Sequence, residues 1–141
     1  MKQVFINLPV RDAEKSMRFY TQLGFVSNPL FTDEHQKCMV WSEHIYVMLI
    51  TQEQFVKWNT KSIPARNFAT ANFTLPVETI DRMNQIVEEG LKAGGAEPSP
   101  LLDEGFMQLR RIEDFDGHVW GIICLDVEMF RKRKESRHQV I

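Results

Sequence analysis

The chain lacks an excess of charge of either sign: seventeen Lys and Arg face nineteen Asp and Glu, a net charge of −2 over 141 residues. Nucleic-acid-binding domains carry a basic surplus, so no nucleic-acid partner is expected. No apolar run approaches the roughly 18 residues needed to span a bilayer, and mean hydropathy is −0.29, so no membrane partner is expected either. Met1-Lys2-Gln3 is followed by a short apolar run and then Pro9-Val10-Arg11-Asp12. That pattern lacks the apolar centre of a secretory leader, and a cytoplasmic location is expected. Cysteine is scarce: Cys38 and Cys124 each sit in or beside an apolar stretch, which predicts buried thiols rather than a disulfide. No Gly-rich phosphate loop, nucleophile elbow or Cys-x-x-Cys occurs.

What is present is enough to fold. Hydrophobic residues make up 43% and charged residues 26% of the chain, the balance of one ordinary domain. Val4 to Val10 reads as a strand. Asp12 is placed as an N-cap, and Ala13, Met17, Tyr20 and Leu23 recur at helical spacing before a stop at Gly24. Strands are predicted at Phe25 to Phe31, Gln36 to Ser42 and His44 to Thr51, then a short helix at Gln52 to Trp58. Phe55 and Trp58 on that helix are read either as a lid or as a small satellite core. A polar connector follows, expected to be the most mobile segment. A strand over Asn72 to Val77 and a helix with Ile80, Met83, Val87 and Leu91 on one stripe come next, ended by Gly94-Gly95. Two last strands at Gly105 to Ile112 and His118 to Leu125 flank the tight-turn pair Asp116-Gly117.

The second half repeats the first. Phe5-Ile6-Asn7-Leu8-Pro9-Val10 is echoed by Asn72-Phe73-Thr74-Leu75-Pro76-Val77, and each is followed by an amphipathic helix, a glycine stop and further strands. The shared order points to an internal duplication. Strand alternation puts Ile6, Leu8 and Val10, with Phe73, Leu75 and Val77, under the helices. Phe5, Asn7 and Pro9, with Asn72, Thr74 and Pro76, then face a mixed, ligand-compatible side.

These pieces resemble the vicinal-oxygen-chelate superfamily, which holds glyoxalase I, the extradiol dioxygenases and the bleomycin-resistance proteins. The carriers are Leu8-Pro9-Val10-Arg11-Asp12, Leu23-Gly24-Phe25, the repeat itself, and Asp114-Phe115-Asp116-Gly117-His118, which resembles the family's Asp-Pro-Asp-Gly-His turn with Phe115 in place of proline. The resemblance implies an α+β fold of two βαβββ modules, a curled mixed sheet around a central cavity. The expected parts are module 1–58, connector 59–68, module 69–125 and a basic tail 126–141. It also implies a homodimer, since family members commonly pair modules between subunits.

Metal-dependent members of the family carry a His or Glu ligand on the first and last strand of each module. The matching positions here are Phe5, Leu49, Asn72 and Gly121. Three cannot coordinate through a side chain, and Asn72 offers one neutral oxygen, whereas a transition metal needs about three or four ligands. No metal, no other cofactor and no catalytic residue are therefore expected. His35, His44, His118 and His138 read as turn, strand-end or tail residues. Glu43-His44, and Glu113 or Asp114 near His118, are spacings that chance supplies readily. The expected function is the holding of a small apolar or aromatic molecule, with Phe5, Asn7, Leu49, Asn72, Thr74 and Gly121 lining its site and Arg111 reaching it. The alternatives are a metal-dependent lyase or dioxygenase with relocated ligands, and a dimeric interaction module with a vestigial pocket.

Overall fold

The structure is a computed structural model that describes residues 2–139. Strand β1 (Val4–Val10) runs into helix α1 (Ala13–Leu23), followed by β2 (Val26–Ser27), β3 (Gln36–Ser42) and β4 (Ile45–Thr51). Helix α2 (Gln52–Trp58) and the connector lead to the second set: β5 (Phe73–Val77), α3 (Ile80–Lys92), β6 (Leu102–Asp103), β7 (Met107–Glu113) and β8 (Val119–Leu125). A last helix, α4 (Val127–Gln139), carries the basic tail. Each set is one βαβββ module. The sheets run β1-β4-β3-β2 and β5-β8-β7-β6, with the outer pairs β1·β4 and β5·β8 parallel and the rest antiparallel. No helix is long and apolar enough to cross a membrane among the described residues.

Local chemistry sets the element ends. The Asp12 carboxylate accepts from the Lys15 amide at 3.1 Å, and Gly24 takes φ 115° to close α1. Thr79 caps α3 through the Arg82 amide at 3.1 Å. The strand expected over Phe25 to Phe31 is only two residues long. Asn28 caps a 3-10 turn over Pro29–Phe31 through the Leu30 amide, and Pro29, with no amide proton, suits the first position of that turn and not a ladder.

One core serves both modules. Val10, Phe19, Tyr20, Met39, Val47 and Leu49 from the first join Met83, Val87, Ile112, Trp120 and Ile122 from the second, all essentially inaccessible. Trp120 meets Tyr20 and Phe25 edge-on at 5.9 and 5.6 Å. Each such side chain, fully buried, contributes about 1.5–3 kcal/mol. Helices α1 and α3 pack on each other, so closely that a Cβ on Gly90 would lie 2.8 Å from Leu23 and 2.7 Å from Ile112.

The pairing register corrects one facing. Leu8 lies beside Leu49 and Asn7 beside Met48, so Val47 and Leu49 point with Leu8 into the helix-side core. They do not share a face with Phe5. The far side of this sheet instead presents Tyr46, Met48 and Ile50, and a second cluster of Cys38, Met48 and Ile50 packs there under Phe55 of α2. In the second sheet Trp120 and Ile122 point to the core, while Gly121 lies on the far side beside Thr74 and Arg111.

Candidate functional site

The Asp114–His118 turn is where the two modules lock together. Asp114 is 1% exposed, yet its carboxylate is fully used. Tyr20 donates its hydroxyl to Oδ2 at 2.6 Å, and the amides of Asp116 and His118 donate to Oδ1 at 2.9 and 2.8 Å. The indole of Trp120 donates to the Tyr20 oxygen at 2.9 Å. Burial pushes the Asp114 carboxyl above its ordinary range, against the pull of the His118 charge and these donors. Burial, then the Asp114 charge, pushes the Tyr20 hydroxyl well above its own. At the turn's outer end the Arg11 amide and Nε both donate to Asp116 Oδ1, at 3.0 and 3.1 Å, and Arg11 Nη2 donates to the Phe115 carbonyl. His118 Nε2 lies 2.8 Å from the Pro9 carbonyl oxygen. A carbonyl only accepts, so this nitrogen carries the proton. Asp114 and His118 are thereby committed to holding the modules together and form no free acid–base pair.

Beside this lock lies a pocket of about 600 Å³. Its wall includes four consecutive residues of β1, Ile6 to Pro9. Successive side chains of a strand alternate in direction, so the pocket runs along the open edge of β1, itself an outer strand. Gln52 and Phe55 of α2, and Asp116, Gly117 and His118 of the turn, also line it. The connector, from Ile63 to Ala71, together with Phe73, closes over it. Gly117 takes φ 88° and lets the connector in, since a Cβ there would stand 2.6 Å from the Arg66 carbonyl oxygen. Arg66 is tied down by Glu113 at 3.1 Å.

The residues expected to line one site fall into separate places. Asn7 lines the pocket. Phe5 is 49% exposed on the far side of the first sheet, stacked on Tyr46 with ring centroids 4.6 Å apart. Leu49 is sealed in the core. Asn72 is exposed just ahead of β5, between the pocket residues Ala71 and Phe73. Thr74, Gly121 and Arg111 are cross-strand neighbours on the far side of the second sheet. Arg111 donates to the Ser99 hydroxyl at 3.2 Å and has no carboxylate partner among the described residues. Arg110 points the other way and is saturated by Glu97, Glu88 and Asn84, which hold its guanidinium even more firmly protonated than usual. The sequence reading missed the connector residues Phe68 and Thr70, which had no periodicity to mark them.

The residues present do not fit the metal site of the resembled family. Correcting the β4 facing replaces Leu49 with Tyr46, Met48 or Ile50, none a His, Glu, Asp or Cys. Among the described residues no three His, Cys, Asp or Glu converge to hold an ion. His35 and His44 are surface residues beside Glu34 and Glu43, and the side chain of His138 lies outside the described residues.

Three chains of known structure show what this architecture is. The family described as Bleomycin resistance protein-like N-terminal matches residues 2–41. Hypothetical protein SA1046 from S. aureus superposes with a TM-score of 0.76 at 25% identity, over 88% of this chain and 94% of that one. A glyoxalase/bleomycin resistance protein/dioxygenase family enzyme from Burkholderia phytofirmans PsJN gives 0.72 at 14% identity, over 89% and 99%. A glyoxalase-related enzyme from Fulvimarina pelagi gives 0.71 at 20%, over 88% of each. No curated protein matches the sequence. The fold class is thus the duplicated βαβββ architecture. The chain shares that fold with these glyoxalase-related structures, and its first strand, helix and following strands match the bleomycin-resistance-like N-terminal family over residues 2–41.

Proposed function

We propose that the chain binds a small apolar or aromatic molecule without the help of a metal, and that the pocket along the β1 edge is where it does so. One observation supports this most: a 600 Å³ space between modules, walled by Ile6, Phe55, Phe68 and Phe73 with a few polar points, in a chain whose family metal positions hold no competent ligand. Ligand sites are typically such clefts, apolar with a small number of placed polar groups. The test is the metal content of protein purified without chelator or affinity tag, followed by adding back Zn, Ni, Mn and Fe. No bound metal and no shift in Tm on addition is the expected result. Near-stoichiometric metal would overturn this reading in favour of a lyase or dioxygenase with relocated ligands.

The same reading has the protein working as a homodimer. On the far face of the second sheet Thr74 is exposed and Arg111 half-buried on either side of the buried Gly121, and Leu102 and Leu125 at its margin are 39% and 42% exposed. A second copy there would complete a wall that one chain leaves open. Light scattering at micromolar concentration should give twice the chain mass, and a monomer would remove this part of the proposal.

A further inference from the structure

The pocket along the β1 edge has a charge character that its lining alone does not reveal. Arg11, Arg66, Asp116 and His118 all border it, which suggests an ionic site. Each of them is already engaged. Arg11 is matched to Asp116 through Nε and to the Phe115 carbonyl through Nη2. Arg66 is matched to Glu113, and His118 spends its Nε2 proton on the Pro9 carbonyl. An anion would meet guanidiniums whose charge is already offset by Asp116 and Glu113, and a cation would find those carboxylates already taken; because both arginines are more than half exposed, the resulting bias against ions is modest, a few-fold in affinity. Asn7, Gln52 and Thr70 differ: they line the same pocket and make no side-chain hydrogen bond among the described residues. They offer amide and hydroxyl groups that both donate and accept.

We infer that this pocket selects a neutral aromatic molecule with a donor–acceptor edge, such as a carboxamide, and discriminates against ions of either sign. The inference rests on the pocket being the binding site proposed above, and goes further by naming the charge and polar edge of what it takes.

Three probes of nearly equal size test it: phenylacetamide, phenylacetate and 2-phenylethylammonium. Each is titrated into the full-length ¹⁵N-labelled protein while the amide resonances of Phe68, Thr70 and Ala71 are followed. Phenylacetamide should bind about three- to tenfold more tightly than either ion, the range that one or two net hydrogen bonds supply. Asn7→Ala should weaken phenylacetamide by about threefold or more and leave ethylbenzene binding unchanged. Asn7 is exposed on an edge strand, and the spectrum itself reports that the variant is folded. Phenylacetate or the ammonium binding as tightly as the amide would overturn the neutral selectivity while leaving the pocket as a site. Undiminished amide binding by Asn7→Ala would overturn the polar edge. Absence of any shift at the pocket with all three probes would overturn both this inference and the reading beneath it.

Discussion

The two modules share a chain order and a sheet order but treat corresponding parts in opposite ways. In the first, the far side of the sheet is covered: Phe55 of α2 lies over Cys38, Met48 and Ile50. In the second, among the described residues, no helix lies over the far side around Thr74, which stays exposed beside the buried Gly121, and the chain continues into α4 instead. The hairpin turns reverse the pattern. The β3–β4 turn of the first module, at Glu43 and His44, is solvent-exposed and binds little beyond the Lys2 carbonyl and Gln3. The β7–β8 turn of the second is the buried lock that grips Tyr20, Pro9 and Arg11. Duplication therefore fixed the scaffold, and a few side chains decide which copy closes a surface and which closes the seam. The pocket sits where the two choices meet, between the α2 cover and the turn.

The contrast between turns predicts the largest effect. Asp114→Ala would strand the Tyr20 hydroxyl and two backbone amides inside the protein, and should lower stability by about 3–5 kcal/mol. Glu43→Ala, the equivalent change in the first module, should cost less than about 0.5 kcal/mol. Urea unfolding of both variants measures the difference, and similar losses would abolish the asymmetry. The same carboxylate carries a pH signature. Burial raises its folded pKa above the unfolded value. Its contribution to stability is therefore complete while it is protonated in both states, and is lost as pH climbs through the raised value. Asp114→Asn cannot titrate, so wild type should lose ground to this variant as pH rises from the ordinary aspartate range through the raised folded value. Wild type gaining ground instead would mean that the three donors outweigh burial.

The covered face predicts an intermediate effect. Phe55 is partly buried over the second cluster, so Phe55→Ala should cost about 1–2 kcal/mol. Hydrogen exchange should quicken at the amides of Met48 and Ile50 and stay unchanged across β7 and β8. Faster exchange throughout both sheets would mean that α2 supports the shared core and is not a local cover.

How far the sequence was readable follows from where its signals were local. The duplicated strand–helix order, the Asp12 cap and the Gly24 stop are all short-range, and the structure has them in place. In the second module's last strand alternation put Trp120 and Ile122 toward the helices and Gly121 on the other face, as the structure has them. Strand β4 gave no such mark. Tyr46 to Ile50 is apolar at every position, so alternation could not choose a face, and only pairing with β1 did so. The site was harder still. Tyr20 and Asp114 lie 94 residues apart, and His118 and Pro9 lie 109 apart. Nothing in a single sequence announces such contacts. The pocket depends on a connector with neither helical nor strand periodicity, so Phe68 and Thr70 carried no signal.

The open face predicts the smallest effect and the finest distinction. A Cβ added at Gly121 would lie 3.1 Å from Leu109 Cδ1 and 3.2 Å from Thr74 Oγ1. Both are side-chain ends that must give by a few tenths of an ångström, Leu109 within the buried core, so Gly121→Ala should change the stability of the isolated chain by no more than about 1–2 kcal/mol, with overpacking partly offset by the gain of leaving glycine out of a strand. A residue kept small only for packing would show nothing else. A residue kept small because a second copy approaches it would show a dissociation constant for the dimer that rises at least about tenfold while the Tm of dilute protein stays put. Light scattering and thermal unfolding on the same variant separate the two. If both stay unchanged, the open face of the second module is a surface left over from duplication, and the functional weight of the molecule rests on the seam.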